Sequence, residues 1–91
     1  MQIEVVYSAH FVRNYKRLDK NLQDEVYEKI ELFKNKKNHI SLKVHSLNGR
    51  LKGMHSFSVN YSLRIIFEYE KKTKKVVILL AVGDHDIYDK F

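Results

Sequence analysis

A histidine at position 45, an arginine at 64, a second histidine at 85 and a tyrosine at 88 are the residues of this 91-residue chain best suited to chemistry. Imidazole gives and takes protons near neutral pH, and a guanidinium is always charged, with a fork of donors that matches phosphate oxygens. A phenol can stack on a base or donate its hydroxyl. Together these groups suit acid-base cleavage of a phosphodiester through a neighbouring hydroxyl. Each also has a plainer reading. Arg64 could be a surface strand arginine paired with Glu68 or Glu70, and His85 could close the fold through Asp84, Asp86 or backbone. His45 could be a loop histidine with structural hydrogen bonds, and Tyr88, like Phe91, could simply pack on the sheet.

The remaining chemistry is narrowed by what the composition lacks. There is no cysteine, which excludes a disulfide framework, a thiolate metal site and a cysteine nucleophile, and is compatible with a reducing cytoplasm. His10, His39, His45, His55 and His85 include no pair four apart on a helix and no compact acidic cluster, so neither a metal nor another cofactor is expected. Seventeen Lys and Arg against eleven Asp and Glu give a formal charge of +6, which favours a polyanion, an acidic protein partner, or both. Lys52 and its neighbour Arg50 are candidate phosphate contacts. Arg13, Lys16, Arg17 and Lys20 form a basic helical patch better suited to contact with a nucleic-acid backbone than to catalysis. The amino terminus lacks the basic and apolar regions of a signal peptide, and no apolar run approaches the roughly 20 residues that span a bilayer. A soluble, intracellular protein without a membrane contact is expected.

These groups need elements to position them. Ile3, Val5 and Tyr7 alternate with Gln2, Glu4 and Val6 as in a short strand. Ser8 can cap a helix with Phe11, Tyr15 and Leu18 on its apolar face, stopping near Leu18. Asp19 or Asn21 can cap a second helix with Leu22, Val26, Ile30 and Phe33 on one face and Asp24 and Glu25 in its first turn. Residues 35–48 lose periodicity and read as a connecting loop anchored by Ile40, Leu42 and Val44. His55, Phe57 and Val59 alternate with Ser56 and Ser58, and after a turn at Asn60-Tyr61 the next strand puts Leu63, Ile65 and Phe67 on one face and Arg64 on the other. Residues 70–75 form a charged hairpin turn, and residues 76–82 are almost continuously apolar, as in a strand covered on both faces. The tail is polar with Ile87, Tyr88 and Phe91 as anchors. The order β-α-α-β-β-β over a single domain, 1–91, predicts an α+β fold: a helical hairpin packed on one face of a small, largely antiparallel sheet.

Three segments in order are the specific part of the sequence: H-x-L-x-G-x-x-K-G over residues 45–53, S-F-S-V-N-Y-S-L-R-I-I-F over 56–67, and V-G-D-H-D-I-Y over 82–88. They resemble the RelE/ParE superfamily of bacterial toxin-antitoxin toxins, and within it the RelE-like and YafQ-like messenger-RNA interferases. The likeness covers nearly the whole chain. It implies the toxin of a type II toxin-antitoxin pair, a metal-independent endoribonuclease that cleaves mRNA on the ribosome, with a cognate acidic antitoxin as partner in the cytoplasm. On this resemblance Arg64 clamps the scissile phosphate, His85 in its Gly83-Asp84-His85 setting and His45 serve as acid and base in an open order, and Tyr88 orients a base. The sequence departs from YafQ-like toxins at Ser58, where they have a histidine, and at Tyr61-Ser62-Leu63, where they keep Pro-Asp-Trp. The alternative on the same fold is a non-nuclease: a ParE-like inhibitor of DNA gyrase, a branch that lacks this histidine equipment, or a relic that only binds antitoxin.

Overall fold

The computed structural model describes residues 2–73 and 75–91, with the elements β1 (Glu4–Tyr7), α1 (Ala9–Lys16), α2 (Lys20–Phe33), β2 (His45–Ser46), β3 (His55–Ser58), β4 (Arg64–Tyr69), β5 (Val76–Gly83) and α3 (Ile87–Lys90). Both long helices start where side-chain oxygens can meet orphan amides. The Ser8 hydroxyl accepts from Phe11 N at 3.0 Å, and the Asp19 carboxylate accepts from Leu22 N at 2.9 Å, so Asp19 rather than Asn21 is the second cap. Helix α1 ends at Lys16, and Leu18 packs on the core from the turn beyond it. Two bonds lace the hairpin: Tyr15 Oη donates to Gln23 O at 3.3 Å, and Gln23 Nε2 donates to Tyr15 O at 3.0 Å. Asp24 and Glu25 fall beyond the first turn of α2, because that helix begins at Lys20. Asp24 instead pairs with Lys20 at 2.8 Å, an exposed i,i+4 contact that contributes little.

The sheet has five strands in the order β1-β5-β4-β3-β2, with β1 parallel to β5 and the other neighbours antiparallel. The architecture is the expected α+β one, with the following differences, besides Ile40, which is 92% exposed and so does not anchor its loop as Leu42 and Val44 do. The loop of residues 35–48 contains a 3-10 turn at Lys36–Asn38 and the two-residue edge strand β2, whose His45 pairs with Ser56 and Ser46 with His55. No periodicity marks a strand of two exposed residues; only its partner defines it. The tail also forms a helical turn, α3. Finally, the β4–β5 register shifts between Ile66 and Phe67: Ile66 pairs with Ala81 but Phe67 with Leu79. The extra residue changes the parity of β5, so Val77, Leu79 and then Val82 reach the helical face while Ala81 turns to the other.

On the helical face the core centres on Phe33, fully buried between Phe57 (ring centroids 4.4 Å, interplanar 5°) and His39 (4.6 Å, 6°), with Phe67 edge-on at 4.9 Å. His55 lies on this face, as its parity with Phe57 requires, stacked on Phe67 and edge-on to Tyr69. Burial pushes the Tyr69 phenol up. On the opposite face a smaller cluster of Leu51, Ile66 and Ala81 is covered by Leu47, Met54, Ile87, Tyr88 and Phe91, from the β2–β3 connection and the tail. That second cluster positions the site. Truncating Phe33 to alanine should cost about 3–5 kcal/mol in urea unfolding, a large part of a small domain's stability. A loss below about 1 kcal/mol would mean that the aromatic stack contributes no more than an ordinary surface position.

Candidate active site

Arg64 opens β4 opposite Ser58 of β3 and Gly83 of β5, on the sheet face away from α1 and α2. The turn before it is folded by Asn60, whose Oδ1 accepts from Ser62 N at 2.9 Å and Leu63 N at 2.8 Å, an Asx turn. That turn offers its carbonyls to the guanidinium: Nη1 donates to Asn60 O at 2.7 Å, Leu63 O at 3.0 Å and Tyr61 O at 3.3 Å. Backbone thus fixes Arg64 while Nε and Nη2 stay outside those bonds. Glu68 and Glu70 are not its partners; the Glu70 carboxylate caps the amides of Lys72 and Thr73.

His45 enters from the opposite edge of β3. Its Nδ1 lies 2.8 Å from Lys43 O, and since a carbonyl only accepts, Nδ1 carries the hydrogen and the neutral ring keeps its lone pair on Nε2. Lys43 holds a left-handed backbone, φ 60°, a conformation that costs a long side chain energy. His85 is exposed in the turn after Gly83, and Tyr88 comes one turn later with its ring edge-on to His85 at 6.0 Å. The Tyr88 hydroxyl hydrogen-bonds the Ser56 hydroxyl at 2.8 Å, giving a wholly buried polar side chain its partner.

His45, Arg64, His85 and Tyr88 line one open hollow of about 390 Å³, together with Lys43, Leu47 and Ser58. Among the described residues that line it there is no carboxylate. Two cations and two imidazoles can hold a phosphate. Among the described residues no three His, Asp or Glu side chains gather where a metal ion could be held. Lys43 and Ser58 are members that sequence reasoning missed as site residues. Lys43 sits two residues before the H-x-L motif in a lysine-rich loop, and its only signal, a positive φ, is a property of structure. For Ser58 the sequence signal is its strand parity with Ser56, opposite Phe57, and the structure adds its pairing with Arg64.

The other candidates lie elsewhere. Lys52 is exposed and not part of the hollow. Arg50 faces a neighbouring hollow lined by Asn48, Leu51, Tyr88 and Asp89, where its Nη2 donates to Tyr88 O at 2.5 Å and Asp89 O at 3.0 Å. Arg13, Lys16 and Arg17 are exposed on or just after α1, which packs on the far face of the sheet, and Lys20 there is bound to Asp24. His10 contacts Phe91 edge-on, and His39 and His55 belong to the helical core.

No family model matches the chain, and no curated protein matches it. Solved structures do. A chain of the RelBE2 toxin-antitoxin complex from Mycobacterium tuberculosis superposes with a TM-score of 0.72 at 16% identity, covering 93% of this chain and 100% of that one. A chain of the E. coli DinJ-YafQ toxin-antitoxin complex gives 0.71 at 20% identity, over 96% and 97%. YafQ from E. coli strain BL21(DE3) gives 0.67 at 17% identity, over 96% and 98%. At these identities the likeness establishes the fold: helices packed on a five-stranded mixed sheet, the RelE-like toxin fold.

Replacing Tyr88 with phenylalanine should destabilise the chain by about 1–3 kcal/mol, because it strands the buried Ser56 hydroxyl. Adding Ser56→Ala should recover most of that loss in urea unfolding. A double variant as unstable as the two single losses added together would show that the hydroxyls do not depend on each other.

Proposed function

We propose that this chain is the toxin of a type II toxin-antitoxin pair in the RelE/ParE superfamily, and that it is an endoribonuclease cleaving mRNA on the ribosome without a metal. The observation that carries this reading is the convergence of His45, Arg64, His85 and Tyr88, with Lys43, on a hollow without carboxylates. The RelE-like fold, which occurs in the RelBE2 and DinJ-YafQ toxin-antitoxin complexes, supports a partner antitoxin in the cytoplasm. The basic balance of the chain supports an acidic one.

In this mechanism the Nε2 lone pair of His45 takes the proton of a ribose 2′-hydroxyl, a role supported by the hydrogen bond from Nδ1 to Lys43 O. The 2′-oxygen attacks the adjacent phosphorus, and the bond to the 5′-oxygen breaks as His85 delivers a proton to it. The products are a 2′,3′-cyclic phosphate and a free 5′-hydroxyl. Arg64, held by three carbonyls, and Lys43 stabilise the charge that builds on the phosphoryl oxygens. Tyr88 stacks on or hydrogen-bonds a neighbouring base. Lys52 extends the phosphate track, and Arg13, Lys16, Arg17 and Lys20 supply contacts to ribosomal RNA.

Primer extension on a message incubated with translating ribosomes tests the reading. His85→Ala and His45→Ala should each lower single-turnover cleavage by roughly 10²- to 10⁴-fold, the usual contribution of a positioned acid or base. Arg64→Ala should lower it by on the order of 10²-fold or more. Growth arrest undiminished in a soluble His85→Ala, Arg64→Ala double variant would replace the nuclease with a non-nuclease toxin on the same fold. Antitoxin binding should weaken as salt rises, and an affinity equal at low and high ionic strength would remove the electrostatic part.

A further inference from the structure

We infer that Arg50 is a positioning residue, which clamps the C-terminal helical turn so that Tyr88 and His85 stay at the hollow. The inference rests on the proposed nuclease only for its kinetic readout. Helix α3 is four residues long, a single turn, far below the length at which a helix persists without tertiary support. Its last carbonyls have no partners within the turn, and a cation at a helix C-terminus both accepts that role and complements the dipole. Arg50 does this across 38 residues of sequence, through its bonds to Tyr88 O and Asp89 O. It is well placed to, because it sits in a 3-10 turn, Gly49–Leu51, anchored by the buried Leu51.

Two further contacts set the same turn. Ile87 lies so close over Gly83 that a β-carbon there would run into its side chain, and the Tyr88 hydroxyl reaches Ser56. Tyr88 N in turn donates to His85 O at 3.2 Å, so the turn that carries Tyr88 also carries the His85 backbone. A guanidinium bonded to tail carbonyls acts on the site through the tail rather than on the RNA.

Arg50→Ala tests this through three measurements on the purified protein. Amide hydrogen exchange at Tyr88 and Phe91, whose N–H groups bond His85 O and Ile87 O, should accelerate by about tenfold or more while the helical core is unchanged. Single-turnover cleavage at saturating ribosomes should fall by about tenfold with half-saturation unchanged, the signature of a disturbed reacting geometry rather than lost binding. Binding of single-stranded RNA should keep its salt slope, whereas loss of a phosphate contact would reduce that slope by about 0.7. Gly83→Ala, which displaces the turn with Arg50 intact, should reproduce the exchange and cleavage changes. Unaltered tail exchange in Arg50→Ala overturns the inference, as does a reduced salt slope with normal cleavage at saturation. If the wild-type protein cleaves nothing, the nuclease reading fails and the exchange measurement alone still decides for or against the clamp.

Discussion

The antiparallel ladder between β4 and β5 is the constraint on which the rest of the structure depends. Its register is regular from Tyr69 to Phe67 and regular again from Ile66 to Arg64, with one extra residue of β5 between. That bulge puts Gly83, rather than Val82, opposite Arg64. The chain therefore leaves the sheet beside the arginine, and the glycine lets Ile87 fold back over the strand end. A bulge near a sheet end re-aims the residues beyond it. Here it brings the histidine and tyrosine of the tail to the guanidinium of β4.

Around that junction, rigid and irregular parts share the work. Arg64 is held by carbonyls of its own turn, and Tyr88 by a buried serine, so two members of the hollow are preorganised by the sheet. His45 and His85 come from an edge strand and an exposed turn, where functional groups commonly stand. Lys43, Arg64 and two imidazoles share one hollow, and Lys43 adopts a left-handed backbone. That strained residue opposes folding, and the aromatic core around Phe33 on the other face offsets it.

The tail shows how little local preference decides here. Residues 84–91 are too few to hold a helix by themselves, yet they form a turn because Ile87, Tyr88 and Phe91 find the apolar face of Leu51, Ile66 and Ala81 and Arg50 closes the end. Arg50 reads in sequence as one more phosphate contact of a basic protein. Its bonds to the tail give it a second reading that charge counting cannot supply.

Sequence by itself determined the features governed by neighbours. Ser8 caps a helix because its side chain reaches an amide three residues on, and Arg64 opposes Ile65 and Phe67 because side chains alternate along a strand. Those rules, with the resemblance of three ordered segments, were enough for the α+β fold and for grouping His45, Arg64, His85 and Tyr88. Tertiary structure alone decided the edge strand at His45–Ser46, the bulge opposite Ile66 and Phe67, the placement of Lys43 in the hollow and the partner of Arg50. Each of these depends on a segment far away in the chain: a strand needs its ladder, a bulge its partner's register, and an arginine the carbonyls that only folding brings within reach.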